Sequence, residues 1–266
     1  PVLLKGSAGG GGKGMRIIWS ESEFSDALAG AKREATKAFG RADVFLEKCI
    51  VNPRHIEAQI LADSQGNVIH LYERDCSIQR RNQKLIEIAP SPQLTPEQRA
   101  YIGDLAVRAA EAVGYENAGT VEFLLADNQI YFMEMNTRLQ VEHRVSELIT
   151  GVDLVAWQIK VAQGEPLPKK QTQIHEQGHA MQVRVYAEDP DNNFLPSTGL
   201  LELVQFLPTD HALFDSGVRT SDSVTIHYDP MISKVVVWAE HRDACIEKMQ
   251  QVLNTSAIFG VKTNLS

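Results

Sequence analysis

Cysteine is scarce: Cys49, Cys76 and Cys245 are the only three in 266 residues, odd in number, far apart and without metal-ligand spacing. That excludes a disulfide framework and a cysteine-based zinc site; a reducing compartment is expected, with all three as packing residues. Long hydrophobic runs are missing too. No stretch of about 18 apolar residues occurs, so no spanning helix is expected. The first residues lack the charged region and long apolar stretch of a secretory leader. A soluble, intracellular protein is expected. Positive charge is in deficit, with 26 Lys and Arg against 34 Asp and Glu and a formal charge of −8. Nonspecific binding to nucleic acid or to an anionic membrane needs a positive field, so neither partner is expected. An anionic ligand must be held by a local cluster.

What is present is the composition of a folded globular protein, 43% hydrophobic and 23% charged. The length suits one large domain or two modest ones. The chain begins inside an apparent strand, Pro1-Val2-Leu3-Leu4-Lys5, and stops at Asn264-Leu265-Ser266 without a terminal signal, so a fragment of something longer is expected.

Val2-Leu3-Leu4 and Met15 to Trp19 are two β-prone runs flanking the glycine tip Gly6 to Gly14, which predicts a hairpin. From Ser22 to about Phe39 apolar residues recur at three and four, as an amphipathic helix requires, and Gly40 stops it. Val44 to Ile50 returns to strand character; Asn52-Pro53 then breaks the chain and marks a hinge between a small and a large lobe. His55 to Ala62 alternates like a half-buried strand, with Val68 to Glu73 as its hairpin partner. Pro96 to Val113 reads as a helix, with Thr95 as N-cap and Gln98 completing a capping box. Thr120 to Leu125 and Gln129 to Met135 form a third hairpin, Asp153 to Gln163 a helix closed by Gly164, and residues 178 to 239 several strands. The fold class is α+β, built on antiparallel hairpins.

Gly9-x-Gly11-x-x-Gly14 matches a dinucleotide fingerprint formally, but a strand follows it where that motif needs a helix. A Walker A loop fails as well, because Gly14 stands where Ser or Thr would meet magnesium. Backbone amides of a glycine flap, flanked by Lys5 and Lys13, could still converge on phosphate oxygens; the bland alternative is an idle hairpin tip. The third hairpin is more specific. With a three-residue connection from Asp127 to Gln129, Ala126 faces Ile130 and Glu122 faces Glu134. Two opposed carboxylates call for a cation, and with the Asn136 amide they suit magnesium or manganese. Glu134, Asn136, Arg138, Gln140 and Glu142 continue at period two, as one wall of an active site or as a solvated polar face. Gln79 to Lys84 concentrates cationic donors, either around phosphates or in a solvated loop. His55 follows the hinge and could meet a ligand, although a lone His is usually structural; the same holds for His143, His179 and His227.

Four motifs together resemble the ATP-grasp core of biotin carboxylases: residues 5 to 15 (KGSAGGGGKGM), 52 to 59 (NPRHIEAQ), 73 to 84 (ERDCSIQRRNQK) and 134 to 143 (EMNTRLQVEH). The resemblance runs from Val2 to Asn264. Residues 178 to 190 and 227 to 234 look most like the acyl-CoA carboxylase branch, within it the methylcrotonyl-CoA carboxylases. It implies an ATP-grasp lid over residues 1–49 and a larger, antiparallel-sheet-based domain over 50–266, with ATP between them. It implies that ATP activates bicarbonate as carboxyphosphate and that CO2 passes to biotin on a carrier domain. A carboxyltransferase component and self-association are implied partners.

Residue by residue, the resemblance implies that Lys5, Gly10, Gly11 and Met15 sit at the phosphate loop, with Glu47, Lys48 and Ile50 at the adenine pocket. His55, Gln79 and Asn82 would meet the nucleotide, and Lys84 its phosphates. Glu122, Glu134 and Asn136 would hold two magnesium or manganese ions. Arg138, Gln140 and Val141 would hold bicarbonate, Glu142 would deprotonate it, and Arg138 and Arg184 would act near biotin. The implied compartment is the cytoplasm in a bacterium or the mitochondrial matrix in a eukaryote. Ala8, Asn82, Ile88 and Arg144 depart from residues frequent in the family. The competing readings are another ATP-grasp ligase, of carbamoyl-phosphate or amino-acid type, and a noncatalytic nucleotide-binding or assembly module. The intact Arg138-x-Gln140-Val141-Glu142 run argues against both.

Overall fold

The computed structural model describes residues 1–7, 15–210 and 212–265. Residues 8–14 of the glycine tip, Gly10, Gly11 and the Ala8 departure among them, lie outside the described residues. The predicted first hairpin is present: β1 (Val2–Gly6) pairs antiparallel with β2 (Arg16–Ile18) and, on its other edge, with β3 (Val44–Lys48). Helix α1 (Phe24–Phe39) covers this sheet. It starts two residues later than the periodicity predicts, because Glu21–Glu23 form a 3-10 turn, and Gly40 ends it at φ 71°. Leu4, Ile18 and Ala31 form its small buried core.

A second sheet, of eight strands among the described residues, holds most of the chain. Its strands are β4 (Arg54–Ala62), β5 (Val68–Arg80), β6 (Gln83–Ala89), β7 (Asn117–Ala126), β8 (Gln129–Asn136), β9 (His179–Tyr186) and the strands Ala212–Ser216 and Met231–Ala239. They run in the order Ala212–Ser216, Met231–Ala239, β9, β6, β5, β4, β7, β8, every neighbouring pair antiparallel. The α+β class holds.

The remaining helices are α2 (Pro96–Ala112), α3 (His143–Thr150), α4 (Leu154–Ala162) and α5 (Arg242–Asn254). Helix α2 carries the predicted Thr95–Gln98 capping box. Sequence periodicity had marked neither α3 nor α5.

Three expectations are corrected. Strand β4 is buried on both faces rather than one. Its alternation is intact: Ile56, Ala58 and Ile60 join the core with Ile102, Ala106 and Ala110 of α2, while Glu57 and Gln59 point the other way, buried in hydrogen bonds. Secondly, the β7–β8 connection is a two-residue turn, Asp127 and Asn128 at φ 50° and 59°, and Ala126 faces Gln129. A bulge then shifts the register by one, so Glu122 does face Glu134, by a route other than the one predicted. Thirdly, the strand expected over Val68 to Glu73 continues to Arg80, so Gln79 to Lys84 stands on a hairpin: β6 begins at Gln83, and Arg81 and Asn82 turn at φ 52° and 65°.

Candidate active site

A cleft of about 980 Å³ opens between the two sheets, and every sequence-predicted site residue that the structure describes lines it. The small sheet and the residues flanking its strands contribute Lys5, Met15, Glu47, Lys48 and Ile50. Strands β4, β5 and β6 contribute His55, Gln79 and Lys84, with Asn82 at the hairpin tip. Strands β7 and β8 contribute Glu122, Glu134 and Asn136; the segment after β8 contributes Arg138, Gln140, Val141 and Glu142, and β9 Arg184. All five residues of the run from Glu134 to Glu142 line the cleft, but the extended chain expected to carry them ends at Asn136, and Arg138, Gln140 and Glu142 reach the cleft from a non-strand segment. Cys49 also lines the cleft, which corrects its reading as a packing residue; Cys245 is a core residue.

The register explains the convergence. Glu57 of β4 lies opposite Arg74 on one side and Glu122 on the other, and Glu122 lies opposite Glu134. Like charges in adjacent rungs repel unless cations separate them. Lys84 does this: its ammonium donates to Glu57 at 2.5 Å, Glu142 at 2.7 Å and Glu122 at 2.9 Å. Burial disfavours its charge, but Glu57, with Glu142 and Glu122, raises its pKa, so it stays an ammonium. Burial likewise opposes ionised Glu57, yet Arg74 and Lys84 bring it down to about 2. Glu122 is also lowered despite burial, by His55 and Lys84; His55 Nε2 lies 3.0 Å from its Oε2.

Glu142 receives a second donor, Arg184, at 2.9 Å, and Arg184 Nε donates to Glu87 at 2.6 Å. Burial, with Glu142 adding to it, raises Glu87 to about 7 against the pull of Arg184. The Val141 carbonyl accepts from Lys234 at 2.6 Å, and Lys234 pairs with Asp215 at 3.3 Å. Arg144 joins that group by donating to Asp215 and Glu147, each at 3.0 Å. Ile88 faces Asp75 on β5 and Met181 on β9. Toward the small sheet the pairs are longer: Lys5 lies 3.7 Å from Glu47 and 3.8 Å from Glu134.

Sequence reasoning missed Glu57, Arg74 and Glu87, all fully buried. Only Glu57 carried a partial signal, a charge in the middle of a predicted strand; Arg74 and Glu87 lie beyond the strands that the sequence predicts. The donor set also bears on a metal. Glu122, Glu134 and the Asn136 amide offer hard oxygen ligands on adjacent strands, a chemistry that fits magnesium or manganese.

The carbamoyl-phosphate synthase L chain ATP-binding domain family matches residues 1–170, and the biotin carboxylase C-terminal domain family matches residues 182–266. The mitochondrial methylcrotonoyl-CoA carboxylase subunit alpha of Dictyostelium discoideum is 52% identical over 268 residues, covering 100% of this chain and 38% of that protein. The 2-oxoglutarate carboxylase small subunit of Hydrogenobacter thermophilus is 51% identical, covering 100% and 56%. Among solved structures, the biotin carboxylase domain dimer of that H. thermophilus enzyme, in complex with MgADP, ADP and bicarbonate, superposes with a TM-score of 0.97 at 51% identity, over 100% of this chain and 59% of that one. A Campylobacter jejuni biotin carboxylase–β,γ-ATP complex gives 0.96 at 47%, over 100% and 59%. Matched along nearly its whole length in sequence and in fold, the chain belongs to the biotin carboxylase family of ATP-grasp proteins.

Proposed function

We propose that this chain is the ATP-using biotin carboxylase part of a biotin-dependent acyl-CoA carboxylase, with methylcrotonyl-CoA the first candidate for the acyl substrate of the whole enzyme. One observation carries the reading: a single cleft gathers an ammonium shared by three carboxylates, an opposed carboxylate pair and an arginine-rich wall. Likeness to the methylcrotonoyl-CoA carboxylase alpha subunits supports the substrate. Residues 1–49 form the lid and 50–266 the larger domain, and ATP lies between them.

In this reading Lys5, Met15 and the glycine tip hold the phosphates, while Glu47, Lys48 and Ile50 receive the adenine. His55, Gln79 and Asn82 contact the nucleotide, and Lys84 sits against its phosphates. Glu122, Glu134 and Asn136 hold magnesium or manganese, which when bound neutralises phosphate charge. Arg138, Gln140 and the Val141 backbone bind bicarbonate. Glu142, held between Lys84 and Arg184, takes the bicarbonate proton, and the bicarbonate oxygen attacks the terminal phosphate of ATP to give carboxyphosphate and ADP. Its breakdown to CO2 and phosphate supplies the carboxyl group for biotin: the released phosphate takes the N1 proton, the nitrogen bonds to CO2, and Arg184 and Arg138 stabilise the negative charge that develops on biotin. A biotin carrier domain delivers biotin, a carboxyltransferase accepts the product, and the larger domain self-associates. The compartment is the mitochondrial matrix in a eukaryote and the cytoplasm in a bacterium; no helix among the described residues is long and apolar enough to cross a membrane.

The test is ADP release with MgATP and bicarbonate, with and without free biotin, on a chain extended at both ends to the length of its relatives. Biotin stimulation that Glu142→Ala abolishes, a loss of about 100-fold or more, is the expected result. ATP hydrolysis indifferent to biotin would assign the chain to another ATP-grasp ligase and remove the biotin-side roles of Arg138 and Arg184. The isolated 266-residue chain is expected to turn over weakly or not at all.

A further inference from the structure

Arg74 has no solvent exposure, yet it bears the largest side chain among the fully buried residues. Its guanidinium has five N–H donors, and five acceptors meet them. Nε donates to Glu57 Oε1 at 2.6 Å; Nη1 donates to Gln59 Oε1 at 2.7 Å and to Ser146 Oγ at 3.0 Å; Nη2 donates to Gln140 Oε1 at 2.8 Å and to Thr120 Oγ1 at 3.1 Å. The acceptors come from β4, β7, α3 and the segment after β8.

Two of these bonds close a ring. Glu57 turns its other oxygen to Lys84, which donates to Glu122. Glu122 also accepts from Gln140 Nε2 at 2.8 Å, and Gln140 Oε1 returns to Arg74. The ring therefore runs Arg74, Glu57, Lys84, Glu122, Gln140 and back. It decides which way the Gln140 amide faces. An arginine carries donors only, so it can meet nothing but the amide oxygen; the NH2 group is thereby turned toward Glu122. Lysine at 74 could not reproduce this, because an ammonium donates from one point and lacks the planar fork that spans Glu57 and Gln140 together.

We propose that Arg74 is a positioning residue of the biotin carboxylase site, fixing the orientation of the Gln140 amide directly and the place of the Lys84 ammonium through Glu57. The inference rests on the reading given above for the chemistry, but not on which acyl-CoA is finally carboxylated. A buried cation needed for stability alone could be exchanged for well-packed apolar side chains, whereas this one meets active-site groups through two separate bonds.

The experiment compares the full-length enzyme with its Arg74→Lys and Thr120→Val variants. Thr120→Val removes one acceptor and no charge. Three readouts are taken: kcat with KM for ATP and bicarbonate, thermal unfolding, and the Gln140 side-chain amide signal in 15N-glutamine-labelled protein, assigned with Gln140→Leu. For Arg74→Lys the expected result is a fall in kcat of about 10- to 100-fold and a raised bicarbonate KM. Its KM for ATP stays within about twofold, its Tm within about 5 °C, and the Gln140 signal is shifted. Thr120→Val shows the same pattern at about 3- to 10-fold. A folded Arg74→Lys with parental kcat and an unmoved Gln140 signal overturns the proposal. So does an unfolded Arg74→Lys beside a folded Thr120→Val of parental kcat. If the parent enzyme shows no response to biotin, the functional reading fails by itself; the Gln140 signal still reports whether Arg74 orients that amide.

Discussion

The two sheets bound the same cleft on different foundations. Under the small sheet the buried apolar cluster among the described residues is Leu4, Ile18 and Ala31, whereas β4 alone buries seven of its nine residues. The ion pairs differ in the same sense. Lys5 stands 3.7 and 3.8 Å from its carboxylates, while Lys84 is in hydrogen-bond contact with all three of its own at 2.5 to 2.9 Å. Groups already locked by partners are preorganised for charge that develops in a reaction, and loosely paired ones can exchange partners when a ligand arrives. The large sheet thus holds the reacting groups, and the small sheet supplies side chains that re-pair easily.

The sharpest way to break this contrast is to cut the same chemistry from both sides. Ile60→Ala, in the core between β4 and α2, is expected to remove about 3–4 kcal/mol of global stability in denaturant unfolding. Leu4→Ala is expected to speed amide exchange in β1, β2 and β3 while leaving β4 protected. Equal loss of protection in both sheets would dissolve the distinction.

Acid tests the large side next. Burial, and then Lys234, hold His143 down to about 4, while its Nδ1 contacts the Gln140 carbonyl at 2.8 Å. Between pH 6.5 and about 4 the unfolded chain binds a proton that the folded one refuses, so stability is complete above 6.5 and falls on acidification, by up to about 3 kcal/mol. In urea titrations at stepped pH, His143→Gln should flatten that fall.

Smaller effects follow. Thr95→Ala removes one half of the α2 capping box and is expected to lower stability by about 1 kcal/mol. Arg16→Ala breaks the exposed pair with Glu34 on the small sheet; thermal melts should register less than about 1 kcal/mol. A larger loss there would mean that the small sheet relies on its charges after all.

Much of this was legible because strands and capped helices write short-range patterns. Thr95, Pro96 and Gln98 announced α2, and the glutamates of the third hairpin were paired correctly. The pairing reached Glu134 by compensation: a turn one residue tighter and a bulge one residue further on cancel, and no local signal in the sequence reports the bulge. Glu57 escaped because alternation tells which residues share a face, not whether that face meets water. Arg74 escaped for a related reason: its five acceptors lie 15 to 72 positions away, on β4, β7, α3 and the segment after β8, beyond the reach of any spacing rule. The candidate site residues were named chiefly through resemblance, and the structure supplies the reason for their convergence on one cleft.

The continuity of the large sheet has a consequence for how the molecule can be divided. The first family match ends at residue 170, in the connection between α4 and β9, and the second begins at residue 182, within β9; the hydrogen bonding runs across that seam, β6 of the first part against β9 of the second. A chain severed there would part into two halves with complementary bare edges. Glu87, Lys84 and Glu142 would leave with one, and Arg184, which bonds both Glu87 and Glu142, with the other. Neither half would own a working site, and rejoining the edges would rebuild strand and salt bridge in a single event, which makes this seam the natural place for a split reporter whose signal is assembly itself.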